Sequence, residues 1–375
     1  MSKQLQPLMI GDLKVPIPIV QGGMGVKVST ASLASAVANC GGAGTIASVG
    51  LAYGIDETGR ELVEASDEAL REEIRKAREL TDGVIGVNIM FALSNYKELV
   101  ETTVKQRADF IVSGAGLPLN LPGLVGDSPI RLIPIVSSAR AAGLIIKTWK
   151  RRYNRLPDAI VVEGPKAGGH IGFRFEDLTS NQTTPLETLV VEVLNLVREY
   201  ESRVTIPVIA AGGVFDGKDI AAFLALGAQG VQMATRFVVT HECSVADAFK
   251  RLYISAKQED VVIIDSPVGM PGRAIRTKFT DRVMSGRREP FRCSYKCLRT
   301  CDPRTVPYCI AKALGNAAAG DLDNAVVFAG SNVSRVTRIV SVKELMDELV
   351  LEATDRLSET RHKTVKNEIN FSHHA

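Results

Sequence analysis

Short, nearly continuous apolar runs alternate along this chain with longer stretches in which apolar residues recur every three or four positions. The short runs, rich in β-branched residues, read as buried strands, and the longer stretches read as amphipathic helices. Eight runs stand out: Ile17–Gln21, Gly42–Ala47, Val84–Ile89, Asp109–Ser113, Leu132–Val136, Asp158–Glu163, Pro207–Ala211 and Gly230–Ala234. Helices are predicted between them: from near Ser29, a good N-cap; over Ser66–Leu80; after Ser137-Ser138; over Glu187–Tyr200; and over Asp216–Leu226. Apolar strands separated by helices are what a parallel sheet covered on both faces requires. Eight such units in about 250 residues predict a (β/α)8 barrel. A doubly wound sheet fits the count less well, and no G-x-G-x-x-G opens the first helix. The expected fold is therefore α/β: a TIM barrel over residues 10–258 and a C-terminal helical and loop extension over 259–354 that packs at its mouth. A polar tail, read as a fraying helix with a disordered end, follows over 355–375.

In such barrels the chemistry sits at the carboxyl ends of the strands. Met24, Asn88, Ser113, Ser138, His170, Gly213 and Thr235 lie at or just after the carboxyl ends of predicted strands, so one mouth should gather them. The densest stretch is Glu163-Gly-Pro-Lys-Ala-Gly-Gly-His-Ile-Gly172. Its glycines let the backbone approach a ligand where side chains would clash. His170 is the group there that can exchange a proton near neutral pH. Ile209-Ala-Ala-Gly-Gly-Val214 and Gln232-Met-Ala-Thr-Arg236 close the last two strands. Those two loops often bind phosphate in barrels, here through the Gly212 and Gly213 amides and the Thr235 hydroxyl. Arg236 either pairs with that phosphate or sits on the surface.

Composition narrows the function classes. A net charge of +3 over 375 residues gives no electrostatic case for nucleic acid or an acidic membrane. The first residues lack a signal peptide's apolar core, and no run approaches the length of a membrane span. The cytoplasm is expected, where six cysteines point to metal or catalysis rather than disulfides.

The motifs together resemble the 2-nitropropane dioxygenase-like family, which holds nitronate monooxygenases and flavin-dependent enoyl-acyl-carrier-protein reductases. The resemblance rests on Pro16-Ile-Pro-Ile-Val-Gln-Gly-Gly-Met-Gly25, Gly86-Val-Asn88, Glu163-Gly-Pro-Lys-Ala-Gly-Gly-His170, Pro207-Val-Ile-Ala-Ala-Gly-Gly213, Val231–Phe237 and Phe328-Ala-Gly-Ser-Asn332. It implies FMN at the barrel mouth, with the flavin's phosphate at Gly212, Gly213, Ala234 and Thr235 and its ring near Gly22, Gly23, Met24, Asn88 and Gln232. Ser138, Glu163, Gly168, Gly169 and Ala211 complete the expected cofactor set. His170 is the expected catalytic residue, beside the reactive flavin face. The leading reading is an FMN-dependent oxidoreductase that oxidises alkyl nitronates. The alternatives are an NAD(P)H-dependent enoyl-thioester reductase, an electron-transfer flavoprotein, and a phosphate-binding barrel without flavin. The expected partners are a small-molecule substrate, with NAD(P)H in the reductase reading; a homodimer stays open.

One segment departs from the family. Cys293, Cys297, Cys301 and Cys309 follow C-x3-C-x3-C-x7-C. Four thiolates can hold a [4Fe–4S] cluster or a tetrahedral zinc. Zinc sites favour separate paired knuckles, so the shared middle cysteine puts the cluster first, and plain packing, which fits the first three at i, i+4 and i+8, ranks ahead of zinc. Cys40 and Cys243 read as packing residues. Asp265–Arg276, rich in proline and glycine, reads as an irregular loop over the mouth. Arg273 and Arg276 there are either surface arginines or contacts for an anionic substrate.

Overall fold

All eight strands form where the apolar runs fall. They are β1 (Ile19–Gln21), β2 (Gly44–Ala47), β3 (Ile85–Met90), β4 (Phe110–Gly114), β5 (Arg131–Val136), β6 (Ile160–Glu163), β7 (Val208–Ala211) and β8 (Gly230–Met233). This computed structural model describes residues 5–53, 62–200, 205–293 and 296–372. Strands β2 to β8 pair in parallel in chain order, and β8 pairs with β1 through Val231 opposite Ile19. The ring closes between β1 and β2 by a parallel bridge of Val20 and Ala43. There the Gln21 amide donates to the Ala43 carbonyl and the Ala43 amide to the Ile19 carbonyl, both at 2.9 Å. The helices cover the outside, as in a TIM barrel.

The barrel interior is a packed core of Val20, Phe110, Val112, Ile133, Val161 and Ile209. Phe110 fits because residue 86 is glycine: a Cβ there would lie 2.2 Å from the ring. An antiparallel hairpin of Leu8–Ile10 and Leu13–Val15, which the hydrophobic pattern did not reveal, places Leu8, Ile10 and Val15 in this same core. It plugs the barrel on the amino side of the strands, so the one open end is the carboxyl-end mouth.

The helix boundaries differ from expectation in two places. Ser29 does not cap the first helix; Thr30 precedes Ala31–Asn39, and the Ser29 hydroxyl bonds to the loop after β1 instead. The second helix already spans Leu62–Leu80, so Ser66 lies inside it. By contrast, Ser138 caps Ala139–Tyr153 by accepting from the Ala141 amide, and Asp216 forms a capping box on Gly217–Leu226.

Asp265–Arg276 is not an irregular loop. Val261–Asp265 and Pro271–Ile275 form an antiparallel hairpin that also pairs with Val327–Phe328. The turn-formers Pro267 and Gly269 occupy its tip. The β-branched run Val261–Ile264 supplies one strand, and Pro271–Ile275 pairs with it despite its own proline and glycine. The last helix, Val342–Ser372, passes position 355 without a break, in keeping with a stretch free of glycine and proline. It lies on Gly217–Leu226, where a Cβ on Gly217 would come within 2.3 Å of Glu352 Cβ. The far end of the expected tail, residues 373–375, lies outside the described residues.

Candidate active site

The mouth opens into a cavity of about 470 Å³, within the usual range for a small-molecule site. Of the sequence-predicted residues, Gly22, Gly23, Met24, Asn88, Ser138, Glu163, Gly168, Gly169, His170, Gln232, Ala234 and Thr235 line it. Ser113 does not: it is buried, bonded to the Tyr96 hydroxyl at 2.9 Å and to the Ile89 carbonyl at 3.0 Å. Ala211 belongs to the barrel core. Gly212 and Gly213 lie just outside the cavity wall, in the turn after β7.

The loop after β1 is held from behind. The Met24 amide and the Gln21 side chain both donate to Ser29 Oγ, at 2.9 and 2.8 Å, while Gln21 Oε1 accepts from the Thr45 amide at 3.0 Å. A Cβ on Gly23 would sit 2.2 Å from Asn88 Cβ, so glycine there is what lets Asn88 reach the mouth.

Three loops converge beyond β6, β7 and β8. Gly212 and Gly213 take φ of +87° and +108°, a region that favours glycine. The Asn332 side chain donates to the Gly213 carbonyl at 2.7 Å, and the Ser331 amide to the Lys166 carbonyl at 3.1 Å. Thr235 Oγ1 accepts from the Gly330 amide at 3.1 Å. Gly168 is pressed so close to the same segment that a Cβ would lie 2.5 Å from the Ala329 carbonyl carbon. The late loop 328–332 thus ties the turns after β6, β7 and β8 into one cradle.

His170 is carried by strand addition. Gly169–His170 pairs antiparallel with the 261–275 hairpin, Gly272 opposite His170 and Arg273 opposite Gly169. His170 Nε2 shares a 2.7 Å hydrogen bond with Ser266 Oγ. Its ring packs edge-on against Phe328 with centroids 4.9 Å apart, and the Tyr253 hydroxyl donates to the Phe328 carbonyl. Protein encloses the imidazole except toward the cavity, and burial lowers its pKa to about 4. His170 is therefore neutral at pH 7. Glu163, at the end of β6, is also enclosed, and burial raises its carboxyl to about 7.

Arg273 overturns both roles expected of it. It is buried, and its Nη1 donates to the Pro165 carbonyl at 2.6 Å and the Ala167 carbonyl at 2.5 Å. Burial lowers its pKa to about 10, which leaves it a cation at neutral pH. It clamps the loop that carries His170. Arg276 is exposed, with Asp281 at 3.4 Å. Arg236 pairs with Glu348 at 2.8 Å and stacks on Phe215, and it does not line the cavity.

Among the four cysteines of the late segment, Cys297 lines the cavity and the other three do not. All are free thiols. Among the described residues no three His, Cys, Asp or Glu side chains stand in a metal-binding arrangement.

The sequence motifs included Phe328, and the segment 265–276 was expected over the mouth, but neither Ser266 nor Phe328 was given a role beside His170. The apolar wall of Leu117, Leu298, Ile310 and Leu314 carried no local signal, because its residues reach the mouth from distant elements. No lysine or arginine among the described residues lines the cavity. No helix among the described residues is long and apolar enough to cross a membrane.

The chain is similar to several known proteins. The sequence profile of the nitronate monooxygenase family matches residues 6–352. A Mycobacterium tuberculosis enzyme, (3aS,4S,5R,7aS)-5-hydroxy-7a-methyl-1-oxo-octahydro-1H-indene-4-carboxyl-CoA dehydrogenase, is 33% identical over 271 residues, or 72% of this chain. That match spans 66% of the mycobacterial protein's own length. A probable nitronate monooxygenase of Staphylococcus saprophyticus is 26% identical over 315 residues, 75% of this chain and 81% of that one. FabK from Thermotoga maritima superposes with a TM-score of 0.72 and 28% identity, covering 93% of this chain and 96% of FabK. The chain belongs to the nitronate monooxygenase family.

Proposed function

We propose that the mouth binds FMN and that the enzyme acts on a neutral acyl thioester, with NAD(P)H as its electron donor. The observation that carries the substrate class is the cavity's lining. A nitronate is an anion, yet no lysine or arginine among the described residues reaches the cavity. The titratable side chains that do are Glu163, His170, Tyr253 and Cys297. His170 is neutral at pH 7, and Glu163 adds negative charge as it ionises near that pH. An uncompensated anion is costly in so enclosed a site, whereas an apolar acyl chain suits the wall of Leu117, Met270, Leu298, Ile310 and Leu314. The 33% identity to a dehydrogenase of a CoA thioester supports the same class.

The cradle fits the phosphate of FMN. Gly168, Gly212 and Gly213 sit where side chains would collide with the neighbouring turns, and Thr235 keeps its hydroxyl proton free because Oγ1 accepts from Gly330. Asn88, Gln232 and the loop 22–24 would face the ring. When bound, FMN supplies hydride chemistry, while the chain supplies orientation and electrostatics. With Nε2 engaged by Ser266, Nδ1 is the His170 nitrogen left to a substrate. If Ser266 donates to Nε2, the proton resides on Nδ1 and can be offered to a thioester carbonyl oxygen. The other tautomer leaves Nδ1 as an acceptor suited to removing a proton from a nitroalkane. That second arrangement keeps nitronate chemistry as the alternative.

The substrate class is tested by ligand binding to the FMN-loaded protein, followed through the flavin spectrum. Crotonyl-CoA is expected to perturb the spectrum saturably, and ethylnitronate only at far higher concentration. Tight ethylnitronate binding without a response to the thioester would overturn the proposal.

A further inference from the structure

The cavity holds no lysine or arginine among the described residues, yet one side of its rim is strongly basic, a contrast that the net charge conceals. Residues 282–312 carry eight lysines and arginines against two acids, Glu289 and Asp302. Both acids are already engaged, Glu289 by Arg282 at 2.6 Å and Asp302 by Arg304 at 3.0 Å. Arg288, Arg292, Lys296, Arg299 and Lys312 are exposed, and none has a carboxylate at ion-pairing distance among the described residues. Three of them stand one residue from the cavity wall. Lys296 precedes Cys297, Arg299 follows Leu298, and Lys312 follows Ala311.

Backbone bonds hold this rim in place. The Ser94 amide donates to the Cys297 carbonyl at 3.0 Å, the Ser94 hydroxyl to the Lys296 carbonyl at 2.7 Å and the Arg299 amide to the Ala92 carbonyl at 3.1 Å. Residues 296–299 are thereby pinned to the loop after β3. The Arg299 guanidinium lies over the Phe91 ring at 4.9 Å and its Nε donates to the Leu93 carbonyl at 3.0 Å, so its charge is positioned without being neutralised. The Arg288 guanidinium donates to the Arg304 carbonyl at 2.6 Å, which draws residue 288 alongside residue 304. Lys312 stands in the first turn of Ile310–Ala319, where no acid offsets it and its charge adds to the positive end of the helix. Like charges gathered in this way repel one another, and an anion seated among them relieves that cost.

We propose that this rim binds the 3′-phospho-ADP of a coenzyme A thioester while the acyl group enters the cavity. The inference rests on the thioester reading above and adds the carrier to it. The two regions match the two halves of such a ligand, an anionic nucleotide head and a neutral acyl group joined by a flexible pantetheine arm. Lysine and arginine suit phosphate oxygens, arginine through its forked donors and lysine as a point charge. Leu298, Ile310 and Leu314 supply apolar wall from the same segment, so the basic lip and the acyl site are continuous. Because Lys296, Arg299 and Lys312 crowd the lip itself, they suit a compact polyphosphate at the cavity edge.

The test compares crotonyl-CoA with crotonyl-pantetheine, which carries the same thioester without the nucleotide, binding to the full-length FMN-loaded protein as followed through the flavin spectrum. Exposed ion pairs are individually weak, so the lip cations together are expected to favour the CoA thioester by about tenfold at low salt. That preference should fade as salt is raised to roughly 1 M. Lys296→Gln combined with Lys312→Gln should remove most of it and leave crotonyl-pantetheine binding unchanged. Each single variant should show a smaller loss, which repeats the test should the double variant fail to fold. Lys14→Gln, at the far end of the barrel, should change neither affinity. Equal affinity of the wild-type protein for the two thioesters would overturn the assignment. So would a double variant that keeps the thioester preference but loses discrimination between NADPH and NADH, since the rim would then serve the donor's phosphate. Failure of both thioesters to bind would refute the thioester reading itself, and the rim assignment with it.

Discussion

His170 and Glu163 face the same cavity, and burial shifts them in opposite directions. His170 falls from 6.5 to about 4, so between those values the unfolded chain binds a proton that the fold excludes, and stability drops as pH falls. Glu163 rises from 4.5 to about 7, so the fold retains a proton that the unfolded chain has lost, and stability drops as pH rises through that window. In the apoprotein the two slopes oppose one another where the windows overlap. Glu163→Gln should therefore gain stability relative to wild type as pH rises from 4.5 to 7, read as urea midpoints across that range; a constant difference would refute the buried-carboxyl account. At pH 7, His170→Asn should retain FMN but lower kcat by about 10²-fold or more, as loss of a positioned proton-transfer group does. His170 was legible in the sequence because a glycine loop follows a strand ending at Glu163. Its partner Ser266 was not, since it lies 96 residues away and carries no motif.

At the scale of elements, the site depends on a hairpin that sequence composition disguised. Proline and glycine at its tip hid the strands Val261–Asp265 and Pro271–Ile275, which hold Gly169–His170 by strand addition. Arg273 turns that pairing into a clamp. Arg273→Gln would leave the Pro165 and Ala167 carbonyls without their charged donor, at a cost of about 1–3 kcal/mol. Weaker FMN retention should accompany the lower melting temperature; unchanged retention would remove Arg273 from the site. The turn after β7 offers a matched pair of glycines. Gly212→Ala meets the Gly164 carbonyl at 2.8 Å as well as a left-handed φ, whereas Gly269→Ala, also left-handed at +83°, meets nothing within 4 Å. Both should lose about 1–2 kcal/mol from backbone strain. Only the first should also weaken FMN binding, as measured by flavin fluorescence on dilution.

At the scale of the whole molecule, the barrel was legible because each strand is an uninterrupted apolar run between helical patterns. The amino-end plug was not: Leu8–Ile10 and Leu13–Val15 are too short to register as strands, and only the barrel interior gives their apolar residues a purpose. Leu8→Ala should cost about 2–5 kcal/mol, because Leu8 is fully buried, and should leave kcat unaltered at the far mouth. The proposed substrate class was the least legible, since it is argued from an apolar wall assembled from residues as far apart as Leu117 and Leu314. An anaerobic titration of the FMN-loaded protein tests the central claim most directly. NADH or NADPH should bleach the flavin bands, and crotonyl-CoA, not ethylnitronate, should restore them. Flavin that resists both nicotinamides yet is bleached by ethylnitronate would contradict the account.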